Sequence, residues 1–231
     1  PPPPPPPSTP PPTPALHTFI ASSAASDVYK RQLLSETPGL LSARDSEGRT
    51  PILLCLYFGH EDLAHLVRER APQLDLFEAS AMGDLEALRG HLEHGTDAAN
   101  ATAPDGFGVL GLAVFFGRQE AAELLLDAGA DPNTPAANDF KVSPIHSAAA
   151  HRDPERSGHL CRLLLERGAD PNVTQAGGWT PLHQAAAHGR KGIVELLLAH
   201  GASPEAVSDD DRTPAQMAEA KGHAEVQALL A

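Results

Sequence analysis

Histidine is the residue type in this sequence with the widest range of possible chemistry. The chain holds 12 histidines and 2 cysteines, and imidazole nitrogens bind metals or exchange protons near neutral pH. His91 and His94 lie three residues apart with Glu93 between them, which weakly resembles a pair of metal ligands on one helix face. No cysteine or carboxylate recurs at ligand spacing around the histidines. We therefore expect neither a metal site nor a cofactor.

Cysteine and acidic residues give no better evidence for catalysis. His159 is two residues from Cys161, and on a helix the two side chains point in different directions. Cys55 and Cys161 form no Cys-x-x-Cys motif, so no disulfide framework is expected and a cytoplasmic location is preferred. The acidic run 209–211 lacks the spaced ligands of a calcium loop, and no glycine-rich phosphate loop follows a predicted strand. The sequence predicts no catalytic residue and no enzyme.

Charge and hydropathy narrow the class of partner. The formal net charge is −13, which opposes binding to nucleic acid or to an anionic membrane. No apolar run approaches the roughly 18 residues of a membrane span. We expect a monomer that binds a protein partner.

The elements that position these side chains follow from a repeated pattern. The pentapeptide Gly-Ala-Asp-Pro-Asn occurs at 129–133 and 168–172, and a shorter copy begins at Gly201. Each copy follows a run of three leucines, and a turn with Thr or Ser before Pro begins at Ser143, Thr180 and Thr213. These turn residues and the clear or degraded equivalents Thr50, Leu74 and Gly108 lie 33 to 37 residues apart, except for a first interval of 24. A period of this length indicates a repeat protein.

Each repeat reads as a turn followed by two short helices. Thr180 is a good N-cap, and Pro181 occupies the first helical position, where its missing N–H costs nothing. An alanine-rich helix follows and ends at Gly189, and a leucine-rich helix then runs to Gly201. A helix pair this short buries its apolar face only when pairs stack.

The pattern resembles the ankyrin repeat, over about residues 33–231. The resemblance implies an all-α fold, an ankyrin-type α-solenoid of stacked helix-turn-helix repeats with short β-hairpin fingers. It also implies that His146 and His183 are structural and tie each turn to neighbouring backbone. Six repeats are expected to start near residues 45, 74, 103, 138, 175 and 208, after a partial repeat at 33–44.

Residues 1–32 are interpreted as a separate, non-native segment. Residues 1–21 are proline-rich and of low complexity, and 22–32 are similar to a translated sequencing adaptor. We exclude this segment from the ankyrin repeat domain at 33–231.

The fourth repeat contains two insertions. Arg152 replaces the glycine that ends the first helix, and Asp153 to Arg156 add residues before a second helix expected to resume at Ser157. The segment from Asn133 to Ser143, which leads into the first helix of this repeat, is also long. Both insertions are predicted to be loops that leave the stacking intact.

The resemblance also indicates where a partner binds. In this architecture, variable residues concentrate at the finger tips and at the ends of the first helices, on one concave side. Protein interfaces are enriched in aromatic residues and methionine, and these residue types recur at the finger tips and first-helix ends of this chain. The predicted partner-binding residues are Tyr57, Phe58, Met82, Asp105, Phe107, Phe115, Phe116, Phe140, Lys141, Trp179, His188, Asp210 and Arg212.

Alternatives remain open at this point. Phe58 and Phe116 are as consistent with packing under the next finger as with binding a partner. Trp179 is either a binding anchor or a cover for an adjacent finger. The predicted function is a non-catalytic protein-binding module; the alternative is a regulatory or targeting region of a larger enzyme or toxin with an upstream domain. A homodimer through the N-terminal repeat is a further hypothesis.

Overall fold

The computed structural model describes residues 36–71, 73–93 and 97–231. The chain divides into two compact units, of which the first ends at Glu78 and the second runs from Ala79 to Ala231. The division falls within helix α3, Leu76–Met82. The predicted segment 1–32, together with residues 33–35, lies outside the described residues.

The described part of the first unit contains one complete helix pair. Helix α1 spans Pro51–Tyr57 and α2 spans Glu61–Arg68, and the two pack against each other. Within the described part of the predicted partial repeat, Pro38–Ser42 form a short 3-10 helix. The turn before α1 is closed by Asp45, whose carboxylate accepts hydrogen bonds from the amides of Glu47 and Arg49 and pairs with the Arg49 guanidinium at 2.7 Å.

The second unit continues the same helix-turn-helix pattern. A short 3-10 helix at Ala98–Asn100 precedes the third pair. The helices after α3 are α4 (Leu85–Leu92), α5 (Val109–Phe115), α6 (Gln119–Asp127), α7 (Pro144–Ala150), α8 (Pro154–Glu166), α9 (Pro181–Ala187), α10 (Lys191–Ala199), α11 (Pro214–Ala220) and α12 (Ala224–Leu230).

The helices of the second unit form two layers. One layer is formed by the first helices, which pack against one another in the order α5, α7, α9, α11. The other layer is formed by the second helices, which pack in the order α4, α6, α8, α10, α12. Leu112, Ile145, Leu160 and Leu197 are fully buried between the layers. Stacking therefore supplies the core that one helix pair cannot form alone.

Local sequence explains where the first helices begin. Thr50, Thr180 and Thr213 each accept a hydrogen bond from the backbone amide three residues later, and proline follows each threonine. This capping satisfies one of the donors left over at a helix start.

Turns, rather than strands, form the fingers. Within the described ranges no β-strand is formed, and the isolated antiparallel bridge Thr102–Gly108 is the one strand-type pairing. The fingers are closed by backbone hydrogen bonds within each turn, such as the Gln175 amide to the Trp179 carbonyl at 3.0 Å. Backbone bonds also join neighbouring fingers, from Ala137 to Gly106 at 2.7 Å and from Ala176 to Phe140 at 2.9 Å.

A second series of bonds links the loops that follow the second helices. The carboxamide of Asn133 donates to the Gly168 carbonyl and accepts from the Asp170 amide. Asn172 makes the equivalent pair of bonds to Gly201 and Ser203. Each asparagine thus fixes the position of the following repeat.

For one of the two insertions in the fourth repeat, the prediction of a loop is wrong. Residues 153–156 are not a loop: helix α8 begins at Pro154 and runs for 13 residues. The carboxylate of Asp153 accepts hydrogen bonds from the amides of Glu155 and Arg156, so it caps a longer helix. The other insertion, between Asn133 and Ser143, is a loop.

Candidate partner-binding surface

Three predicted binding residues of the third repeat lie together. The rings of Phe107, on the finger, and Phe115, at the end of α5, have centroids 6.2 Å apart. Phe116 meets Phe115 edge to face at 5.0 Å. Phe115 remains 43% exposed, whereas Phe107 and Phe116 are half-buried. Two rings therefore support a third that faces solvent.

The fourth finger carries the most exposed large apolar side chain of the described residues. Phe140 is 68% exposed, although its backbone is held: its amide donates to Asn138, and its carbonyl accepts from Ala176. Lys141 follows with φ of +51°, a left-handed conformation that closes the tip. The finger thus presents an aromatic and a cationic side chain on a defined backbone.

Trp179 on the fifth finger is half-buried. Its indole lies 6.2 Å from the His183 ring in a tilted arrangement, and its carbonyl accepts a hydrogen bond from His146. A structural contribution is therefore evident for this residue, while part of its ring still faces solvent.

His146 and His183 occupy the turn position that the resemblance assigns to structural histidines. In each, Nδ1 accepts the amide of the N-cap residue, Ser143 or Thr180. In each, Nε2 reaches a carbonyl of the next repeat. Burial lowers the pKa of His146 to about 4 and lowers that of His183, so both rings are neutral at pH 7.

Side chains of the sixth finger form hydrogen bonds with one another. The carboxylate of Asp210 accepts hydrogen bonds from the Ser208 hydroxyl at 2.6 Å and from the Arg212 guanidinium. These contacts lower the pKa of Asp210, with the Ser208 bond as the largest cause. Both predicted binding residues on this finger are exposed but already paired with each other.

The remaining predicted residues occupy separate places. In the first unit, Phe58 is 57% exposed, and Tyr57 lies under the Arg49 guanidinium at 5.8 Å. In the second unit, Asp105 is half-buried and accepts the Phe107 amide. Met82 lines a surface cavity of about 310 Å³ beside Arg118 and Arg156.

Sequence reasoning missed a row of basic residues at the turns between first and second helices. The Arg118 guanidinium donates to the Ala81 carbonyl at 2.9 Å. Arg190 donates to the carbonyls of His151 and Arg152, and His223 lies 3.2 Å from the carbonyl oxygen of Ala187. The sequence contains a signal that identifies these residues, because each of them directly follows the glycine that ends a first helix.

His188, a predicted binding residue, lies within this row. It is exposed at the end of α9. Partial desolvation lowers its pKa, and the charges of Arg190, His223 and Lys221 lower it further. The basic side chains of Arg190, Lys221 and His223 therefore lie close to His188.

The described residues contain no group of three or more His, Cys, Asp or Glu side chains arranged to hold a metal ion. His94 lies outside them, so the suggested pair with His91 has no structural description. Cys55 and Cys161 are both buried and form no disulfide, and burial raises the pKa of the Cys161 thiol to about 12. A thiol that stays protonated is a poor nucleophile. No helix in the described part of the chain has the length and hydropathy needed to cross a membrane.

Comparison with known families gives a match over most of the chain. The family described as ankyrin repeats (3 copies) matches residues 76–175 and 145–231. A comparison with curated proteins gives no match. The family match confirms the predicted repeat type and the all-α fold class.

Proposed function

Because the chain belongs to the ankyrin repeat family, whose members generally mediate protein–protein interactions, we propose that it is a non-catalytic module that binds a protein partner. The binding surface is formed by the finger tips and first-helix ends of the second unit. Phe115 and Phe140 are its aromatic anchors.

The exposure of these two rings is the observation that carries the proposal. Phe115 is 43% exposed and Phe140 is 68% exposed. Rings placed in water contribute little to folding and reduce solubility. Aromatic anchors of this kind dominate the binding energy of many interfaces.

The surroundings of the rings favour binding at low entropic cost. Phe107 and Phe116 support Phe115 from two directions. The backbone of Phe140 is bonded within its own finger and to the next one. Groups that are ordered before binding lose less conformational entropy when a partner arrives.

A display selection with the full chain tests the proposal. Peptides or small domains that bind the chain are selected, and their affinities for Phe115→Ala and Phe140→Ala variants are measured. Each substitution is expected to cost about 1–3 kcal/mol of binding free energy and to lower the thermal midpoint by less than truncation of the fully buried Leu197 to alanine. Val207→Ala and Leu229→Ala are matched controls, since these apolar residues are 55% and 40% exposed elsewhere in the unit.

Two results would contradict the proposal. One is selected binders that retain full affinity for both phenylalanine variants. The other is unfolding of both variants at markedly lower temperature, which would make the rings part of the core.

A further inference from the structure

Cationic side chains gather at three consecutive turns of the second unit. These are the turns between the first and second helices of the fourth, fifth and sixth repeats. We define the basic turn row as His151, Arg152, His188, Arg190, Lys191, Lys221 and His223. The row contains four arginines or lysines and three histidines, in a chain whose net charge is −13.

Direct contacts join the members of the row across repeats. The guanidinium of Arg190 donates to the backbone carbonyls of His151 at 3.2 Å and Arg152 at 2.9 Å. The ring of His223 lies over the preceding turn, where a Cβ at Gly189 would come within 2.5 Å of its Nδ1. The three turns are therefore fixed side by side.

Among the described residues, one carboxylate forms an ion pair with a member of this row. Lys191 pairs with Glu225 at 3.5 Å, and both groups are exposed. Among the described residues, neither Arg152 nor Lys221 forms an ion pair, and both are exposed. The other carboxylates close to the row in sequence are Asp153, which pairs with Arg156 at 3.4 Å, and the exposed Glu155, Glu195 and Glu219, none of which forms an ion pair with the row.

We propose that the basic turn row binds an extended, acidic polypeptide segment. The first helices α7, α9 and α11 pack in succession, and packed helices lie about 8–10 Å apart. An extended chain in the polyproline II conformation advances about 3.1 Å per residue with three residues per turn. Carboxylates three residues apart therefore lie on one face of the segment and match successive turns. The preferred segment therefore carries acidic residues at every third position.

This inference extends the proposed function, because it assigns a chemical class to one part of the protein partner. A polypeptide fits better than nucleic acid because its charges are sparse. A continuous polyanion lying along the row would also meet the acidic remainder of the chain, which repels it. The basic turn row and the phenylalanine anchors are different residues, so each is tested separately.

The experiment measures binding of the full chain to a defined fluorescent peptide at low salt. The probe has about ten residues with glutamate at every third position, and the comparison peptide has glutamine in place of glutamate. The glutamate peptide is expected to bind at least about tenfold more tightly, and added salt is expected to weaken its binding. A double variant, Arg152→Gln with Lys221→Gln, is expected to lose about fivefold or more in affinity, since each exposed charge contributes modestly. Arg162→Gln, which removes an exposed charge of α8 outside the row, is the matched control.

Each contrary outcome overturns the inference. Equal affinity for the two peptides, or unchanged affinity of the double variant, removes the row as an acidic-peptide site. A single-stranded oligonucleotide of equal charge that binds as tightly as the peptide shows a general polyanion site instead. Phe115→Ala should leave binding of the glutamate peptide unchanged, so failure of the anchors and failure of the row give different results.

Discussion

His146 Nε2 lies 3.0 Å from the carbonyl oxygen of Trp179, 33 residues further along the chain. Its Nδ1 accepts the amide of Ser143 at 3.3 Å, so Nε2 must carry the proton and the ring is neutral. One side chain thus caps its own helix and holds the finger of the next repeat. The finger that carries Trp179 depends on the protonation state of this ring.

The first prediction is a loss of stability in mild acid. Burial lowers the pKa of His146 to about 4 from its ordinary 6.5. Between these values the unfolded state binds more protons than the folded state. The contribution of His146 is therefore fully present above about pH 6.5 and is lost as the pH falls toward 4, by at most about 3 kcal/mol. Urea denaturation between pH 7 and pH 4 measures the effect.

The chain itself supplies the control for this prediction. In the last repeat Gln216 occupies the position equivalent to His146, and its Oε1 accepts the Thr213 amide at 2.9 Å. His146→Gln should therefore keep the cap and lose the titration. The variant should be less stable at pH 7, because the bond to Trp179 is lost, and should show a smaller dependence on pH. An unchanged pH dependence would show that other groups cause the acid sensitivity.

The second prediction concerns the asparagine bonds between repeats. Asn172→Ala removes one hydrogen bond to Gly201 and one from Ser203. We expect a loss of about 1–3 kcal/mol in the free energy of unfolding, from about 0.5–1.5 kcal/mol per bond. The equivalent position in the following repeat is Glu205, which is exposed, and Glu205→Ala should have little effect. Similar losses in the two variants, measured by urea denaturation, would contradict this account.

The third prediction contrasts two neighbouring glycines. Gly189 has φ of +66°, and an added Cβ would lie 2.5 Å from Nδ1 of His223. Gly192 lies within α10, and an added Cβ there meets nothing within 4 Å. Gly189→Ala should lower the thermal midpoint because of backbone strain and the clash. Gly192→Ala should raise stability by about 0.5–1 kcal/mol, the usual advantage of alanine inside a helix. Opposite signs of the two shifts are the expected result, and a stabilised Gly189→Ala would refute it.

The fourth prediction concerns the core between the layers. Leu197 is fully buried in α10, whereas Leu229 in α12 is 40% exposed. Leu197→Ala should reduce the free energy of unfolding by about 2–5 kcal/mol, because it removes buried apolar surface and leaves a cavity. Leu229→Ala should cost clearly less. Equal costs in chemical denaturation would mean that Leu229 is also part of the core.

The comparison of expectation with structure is clearest in the fourth repeat. The sequence showed that residues were inserted after Arg152, and the missing glycine led to the prediction of a loop. Asp153 and Pro154 instead start helix α8 one turn earlier. The sequence contains the N-cap signal, and at this position the local capping preference outweighs the repeat register.

The amino-acid sequence by itself determined the repeat type, the order of helices and the residues at their ends. These features depend on local interactions, since a threonine cap, a proline at the first position and a glycine with positive φ act within a few residues. Only the tertiary structure decided which exposed positions carry contacts. The burial of Phe107 against Phe115, the pairing of Asp210 with Arg212 and the assembly of the basic turn row from three repeats depend on how side chains meet in space. A repeated sequence motif does not reveal these contacts. Some of them join residues that are distant in sequence, and others depend on rotamers that are set by neighbouring side chains.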